Sequence, residues 1–60
     1  MKKGTKEIVR KEVNRSWEMF EKDEPDISTE RLMQMVADHV NMVFGVRLQA
    51  SDVLDYLDQD

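Results

Sequence analysis

The chain has no cysteine. That excludes disulfides and thiolate metal sites, and nothing in the composition points to an oxidising compartment. Its single proline, Pro25, and its two glycines, Gly4 and Gly45, leave few places where a helix must stop. Aromatic residues make up 7% of the chain; Trp17 falls in line with Val13 and Phe20 as a core anchor. No stretch approaches the roughly 18 consecutive apolar residues of a membrane span. The N-terminal MKKGTKEIV is basic but lacks the apolar run of a signal peptide. These absences predict a chain with no membrane segment and a cytoplasmic location.

What is present favours helix. Apolar residues account for 40% and charged residues for 37% of the 60 positions, too hydrophobic a mixture for a disordered tail. A chain this short buries only about 60% of the surface its unfolded form exposes, so one small helical domain over residues 1–60 is expected. Self-association or a protein partner would then add stability.

Ser28 to Phe44, STERLMQMVADHVNMVF, is predicted to be the central helix. At about 100° per residue, Met42, Met35, Leu32, Val43, Val36, Val40, Met33, Phe44 and Ala37 cover an arc of roughly 220°, interrupted by His39. A surface helix needs an apolar stripe of little more than about 100°, so this one calls for cover on two sides. Ser28 is its expected N-cap, with Ile27 and Leu32 spaced as a hydrophobic staple and Glu30 in the first turn. Gly45 suits the left-handed position that closes a helix. Val40, Met42, Phe44, Val46 and Leu48 also alternate with period two. The preferred reading is helix to about Phe44, then a short extended segment from Val46 to Leu48.

The flanking elements follow the same logic. Val9, Val13, Trp17 and Phe20 form one ridge of a first helix, widened by Ile8 and Met19, with Thr5 expected as N-cap. Pro25 ends that helix at or before Glu24. A last helix over Gln49 to Leu57 turns Ala50, Val53, Leu54 and Leu57 inward and Ser51, Asp52, Asp55 and Asp58 outward. Its cap is Gln49 or Ser51, and residues 58–60 are expected to fray. The predicted fold is therefore all-α, a compact three-helix domain with the second helix in the middle.

Charge is divided unevenly along the chain. Residues 1–15 carry six basic and two acidic groups, whereas residues 16–60 carry three basic and eleven acidic groups. Lys2, Lys3 and Lys6 stand at the positive end of the first helix dipole and Glu21, Asp23 and Glu24 at the negative end, each placement mildly unfavourable. Local helix stability does not set this distribution; attraction between basic and acidic parts, within or between molecules, would.

Function classes narrow accordingly. Asp38 and His39 diverge by about 100° and cannot share a proton, and Ser16, Ser28, Ser51, Thr5 and Thr29 meet no base in a nucleophile pattern. No enzyme is expected, and no cofactor or metal. Met35, His39 and Met42 share one helix edge, but a lone histidine with thioethers makes an incomplete metal site. Methionine is better suited to an adaptable contact surface. The expected function is a small regulatory or protein–protein interaction module whose partner-binding residues are Met35, His39, Met42, Met19 and Tyr56. Its partner would be a second copy or a larger, basic protein. The alternative is a nucleic-acid-associated regulator with Lys3, Lys6, Arg10 and Lys11 on phosphates. There, the run VNMVFGVRLQASDVLDYL, a helix, Gly45, a short turn and a second helix, would form a degenerate helix-turn-helix, with Val40, Phe44, Val46 and Leu54 as its core. The predicted recognition helix would offer Gln49, Ser51, Asp52 and Asp55 to DNA, where carboxylates are repelled.

Overall fold

In the computed structural model, which describes residues 3–57, helices begin and end where local chemistry leaves them little choice. The first, α1, runs Lys3–Asp23. Pro25 disfavours helical geometry in the residue before it; the Glu24 N–H still reaches the Phe20 carbonyl at 2.9 Å, and the Ile27 N–H closes a tight turn onto the Glu24 carbonyl at 3.0 Å. Ser28, in extended geometry, accepts the Arg31 N–H on its hydroxyl at 3.3 Å and starts α2, Thr29–Phe44. The expected cap at Thr5 is not the start of α1: the helix is already formed at Lys3, which leaves Gly4 and Thr5 inside it.

Gly45 closes α2 at φ 67°, ψ 30°, and its N–H bonds the Asn41 carbonyl at 2.8 Å. A left-handed residue there satisfies a carbonyl the helix would otherwise orphan. Residues 45–49 form an irregular link without strand pairing. Asn41 holds this link through both ends of its amide: Nδ2 donates to the Leu48 carbonyl at 2.9 Å and Oδ1 accepts the Leu48 N–H at 2.7 Å. The period-two pattern that hinted at a strand is thus a helix end followed by a clamped connection. Helix α3, Ala50–Tyr56, opens at Gln49, whose N–H donates to the Asp52 carboxylate at 2.9 Å. The expected fraying of Asp58 to Asp60 lies outside the described residues.

The three helices share one core of Val9, Val13, Leu32, Val36, Ala37, Val40 and Val53, ringed by half-buried Trp17, Phe20, Ile27, Val46, Leu48, Tyr56 and Leu57. Helix α2 supplies four of those seven core residues, and α1 and α3 both pack on it. It is the middle element, as its wide apolar arc requires. The radius of gyration is 11.0 Å, close to the ~10.4 Å expected for a compact chain of this length. Several residues expected inside lie outside: Ile8 and Met19 do not widen the α1 ridge, and Met42, Val43, Phe44 and Leu54 are exposed. The buried side chains are mostly valines, and a core this narrow has no room for the rest.

Among the described residues Ser16 is the one buried polar side chain, and its hydroxyl donates to the Glu12 carbonyl one turn earlier. A small side chain at that point lets α1 approach α2 closely, and the intrahelical bond meets its polar need.

Candidate interaction surface

The exposed apolar residues are not scattered evenly. Helices α1 and α2 are joined by a short turn and run antiparallel, and their lateral seam is fixed at its middle by polar contacts between Glu12 and His39. His39 Nε2 lies 2.8 Å from Glu12 Oε2, and the imidazole stands edge-on to the Phe20 ring, 5.7 Å between centroids. Arg15 grips the same carboxylate with Nε at 3.3 Å and Nη2 at 2.9 Å. Glu12, Ser16 and Phe20 are spaced by four and form the α1 row against which His39 rests.

Burial differs sharply across this triad. The Glu12 side chain retains 15% of its exposure and that of His39 25%, while Arg15 keeps 67% and stands in solvent. The Glu12 carboxyl is held below its ordinary value, first by the hydrogen bond from Arg15 and then by that from His39, with burial opposing both. Among the described residues no buried side-chain nitrogen or oxygen lacks a hydrogen-bond partner. The centre of the seam is therefore satisfied from within, so a covering surface would not have to supply partners for it.

Apolar side chains flank that centre. Ile8, 53% exposed, and Met19, 44% exposed, lie on the Glu12 side of α1. Met42, 80% exposed, and half-buried Met35 lie on the His39 side of α2. Helical periodicity puts each within about 40° to 60° of Glu12 or His39. The structure thus brings together Met35, His39, Met42 and Met19 from the expected contact set.

Tyr56 belongs elsewhere. Its carbonyl accepts Asn14 Nδ2 at 3.0 Å, on the flank of α1 roughly opposite Glu12. With Lys6, Glu7, Arg10, Leu48, Asp52 and Asp55 it lines an open cleft of about 560 Å³ between α1 and α3. Here two of the predicted phosphate-binding residues, Lys6 and Arg10, meet three carboxylates rather than forming a basic stripe. Lys11 is exposed on the outer face of α1, about 100° from Arg10. The Lys3 side chain lies outside the described residues. The uneven charge along the chain is in this way partly brought face to face within the fold.

Sequence reasoning missed Ile8, Glu12 and Arg15 as parts of this surface. The signal for Glu12 was present: it lies four residues before Ser16 and eight before Phe20, on the edge of the apolar ridge. Among the described residues no group of three or more His, Asp or Glu side chains is placed to hold a metal ion, and no helix is long and apolar enough to cross a membrane. No family model, curated protein or solved structure matches the chain.

Proposed function

We propose that the protein is a small, non-enzymatic interaction module that binds a polypeptide along the α1–α2 seam. The observation that carries this reading is the exposure of Ile8, Met19 and Met42 beside Met35, on one flank, around a polar centre whose bonds are already made. Unbranched methionines adapt to a facing surface, and apolar side chains gathered on one flank are what contact sites expose. Charged residues border the strip, Lys11 and Lys22 on α1 and Asp38 and Arg31 on α2, in keeping with a polar rim.

The test is site-directed photo-crosslinking in cells expressing the protein, with benzoylphenylalanine at position 42 or 19 and, as control, at Glu21 on the far flank of α1. Polypeptide adducts from 42 and 19 but not from 21 are expected. Equal yields at all three positions, or none, would overturn the reading. Binding to duplex DNA that weakens steeply with salt, and is lost when Lys6, Arg10 and Lys11 are reversed in charge, would replace it with a nucleic-acid role.

A further inference from the structure

His39 is the chain's one histidine, and the fold uses only half of its ring. Nε2 lies 2.8 Å from Glu12 Oε2, and Arg15 holds both oxygens of that carboxylate in place. An ionised carboxylate only accepts, so in the neutral imidazole Nε2 carries the proton and Nδ1 keeps its lone pair. Nδ1 makes no bond within the protein. Every buried side-chain nitrogen among the described residues has a partner, so Nδ1 meets solvent. A carboxylate bonded to one imidazole nitrogen is the usual support of a histidine that gives its other nitrogen to a metal. The bond fixes the tautomer, aims the ring and raises the basicity of the ligating atom.

Two thioethers share the edge of α2 on which His39 stands. Met35 lies one turn before it and Met42 three residues after it, and helical periodicity sets them about 40° and 60° from it on the same side. Side chains on a helix lean toward its N-terminus, so Met42 lies over the turn that carries His39, and His39 over the turn that carries Met35. Residues three or four apart have Cβ atoms about 5–6 Å apart, a gap that the long, unbranched and freely rotating methionine side chain is suited to close. Met42 is 80% exposed and Met35 half-buried, and neither belongs to the core.

We propose that Met35 Sδ, His39 Nδ1 and Met42 Sδ form a binding site for a soft monovalent cation, copper(I), with Glu12 as the positioning residue behind the histidine. Softness decides the metal. Thioethers select copper(I), while zinc takes thiolate, imidazole and carboxylate, and calcium and magnesium take oxygen. The same edge is incomplete as a zinc site, which closes with four ligands or with three and a water; three neutral donors suffice for a monovalent ion with a filled d shell. Binding requires no deprotonation, because the two sulfurs and Nδ1 already offer lone pairs. It adds one positive charge to a chain whose formal net charge is -4. The site shares Met35 and Met42 with the surface proposed above for a polypeptide, but it stands on the histidine and does not rest on that reading.

The probes are silver(I), which has the same softness and charge without redox chemistry, and copper(I) added anaerobically as its acetonitrile complex. Each is titrated into the full chain and followed by NMR. One equivalent of silver(I) should shift the methyl carbons of Met35 and Met42 and the Nδ1 resonance of His39, and leave the methyls of Met19 and Met33 in place. Copper(I) should reproduce these shifts and zinc(II) should not. Met35→Leu and Met42→Leu, which conserve volume and leave the circular dichroism of the helices unchanged, should each lose the one-to-one binding, while Met19→Leu retains it. Glu12→Gln separates positioning from scaffolding. With the helices still folded, its imidazole should pass from the Nε2–H form to a mixture of tautomers by nitrogen-15 NMR, and affinity should fall about 10- to 100-fold.

Silver(I) binding undiminished in both leucine variants, or shifts spread equally over all the methionines, would overturn the site. Copper(I) leaving the signals unmoved, or zinc(II) moving them as strongly, would overturn the choice of metal. An unchanged tautomer and affinity in Glu12→Gln would overturn the part given to Glu12.

Discussion

Replacing Ser16 by alanine and by leucine separates a structural serine from an incidental one. The side chain is fully buried, and its hydroxyl donates to the Glu12 carbonyl. In a helix that carbonyl also accepts the backbone N–H four residues on, so Ser16→Ala leaves no orphaned group. It forfeits one hydrogen bond, worth about 1 kcal/mol net, and gains about half of that in helix propensity. The expected change is within about 0.5 to 1 kcal/mol. Ser16→Leu inserts two further heavy atoms where α1 meets α2, and overpacking of this kind costs about 1 to 3 kcal/mol. A 60-residue domain has only about 3 to 9 kcal/mol in total, so a loss of 2 kcal/mol removes a large share of it. In thermal terms that is about 8 to 16 °C in Tm. Urea titration followed by far-UV circular dichroism measures both variants. Leucine as stable as alanine would mean that α1 does not close on α2 at this residue, and the Glu12–His39 contact on the same row would lose its basis.

Three further outcomes follow from local geometry. Gly45→Ala places a methyl where nothing lies within 4 Å, at φ +67°, so the loss is backbone strain alone, about 1 kcal/mol; Gly45→Asn should recover part of it in the same denaturation assay. Asn41→Ala removes both side-chain bonds to Leu48, costing about 1 to 2 kcal/mol, and should speed hydrogen exchange of the Leu48 amide while the amides of mid-α2 remain protected. Glu12, its folded pKa lowered by Arg15 and then His39, contributes stability that is fully present above the ordinary glutamate value and is lost as pH falls through the lowered one. The urea midpoints of wild type and Glu12→Gln should therefore differ at pH 6 and converge as pH falls through the lowered value; a gap that stays constant into acid would contradict the pairing.

Punctuation was the legible part of this fold. Ser28, Pro25 and Gly45 act through their own backbone neighbourhoods, so their places at the ends of α1 and α2 can be read within a few residues of sequence. The position of α2 between its neighbours was also legible, because an arc of roughly 220° cannot be covered from one side. Depth of burial was not. Met42 and Val43 have the same apolar character as Val36 and Val40, and only the ends of α1 and α3 decide which of them receive cover. Long-range polar pairing was equally hidden: Glu12 and His39 are 27 residues apart, Asn14 and the Tyr56 carbonyl 42. No spacing rule joins such pairs. The contact set expected from the sequence divided for that reason, with Tyr56 drawn into the α1–α3 cleft and the methionines left along the seam.

The clamp of Asn41 on Leu48 also bears on the order in which the molecule comes apart. Helix α3 has seven residues, too few to persist alone in water, and Val53 is its one fully buried side chain. Its attachment depends on Val53, on half-buried Tyr56 and Leu57 at the edge of the core, and on bonds from Asn41 and Asn14, whereas α1 and α2 together supply six of the seven core residues. The earliest sub-global opening is thus release of residues 45–57 from a surviving helical hairpin, an event that hydrogen exchange would see as a block of less protected amides. Such an opening carries Asp52 and Asp55 away from Lys6 and Arg10. For its duration the molecule presents a more basic flank than the closed form does, so partial unfolding here changes what the surface attracts as well as how much of it is ordered.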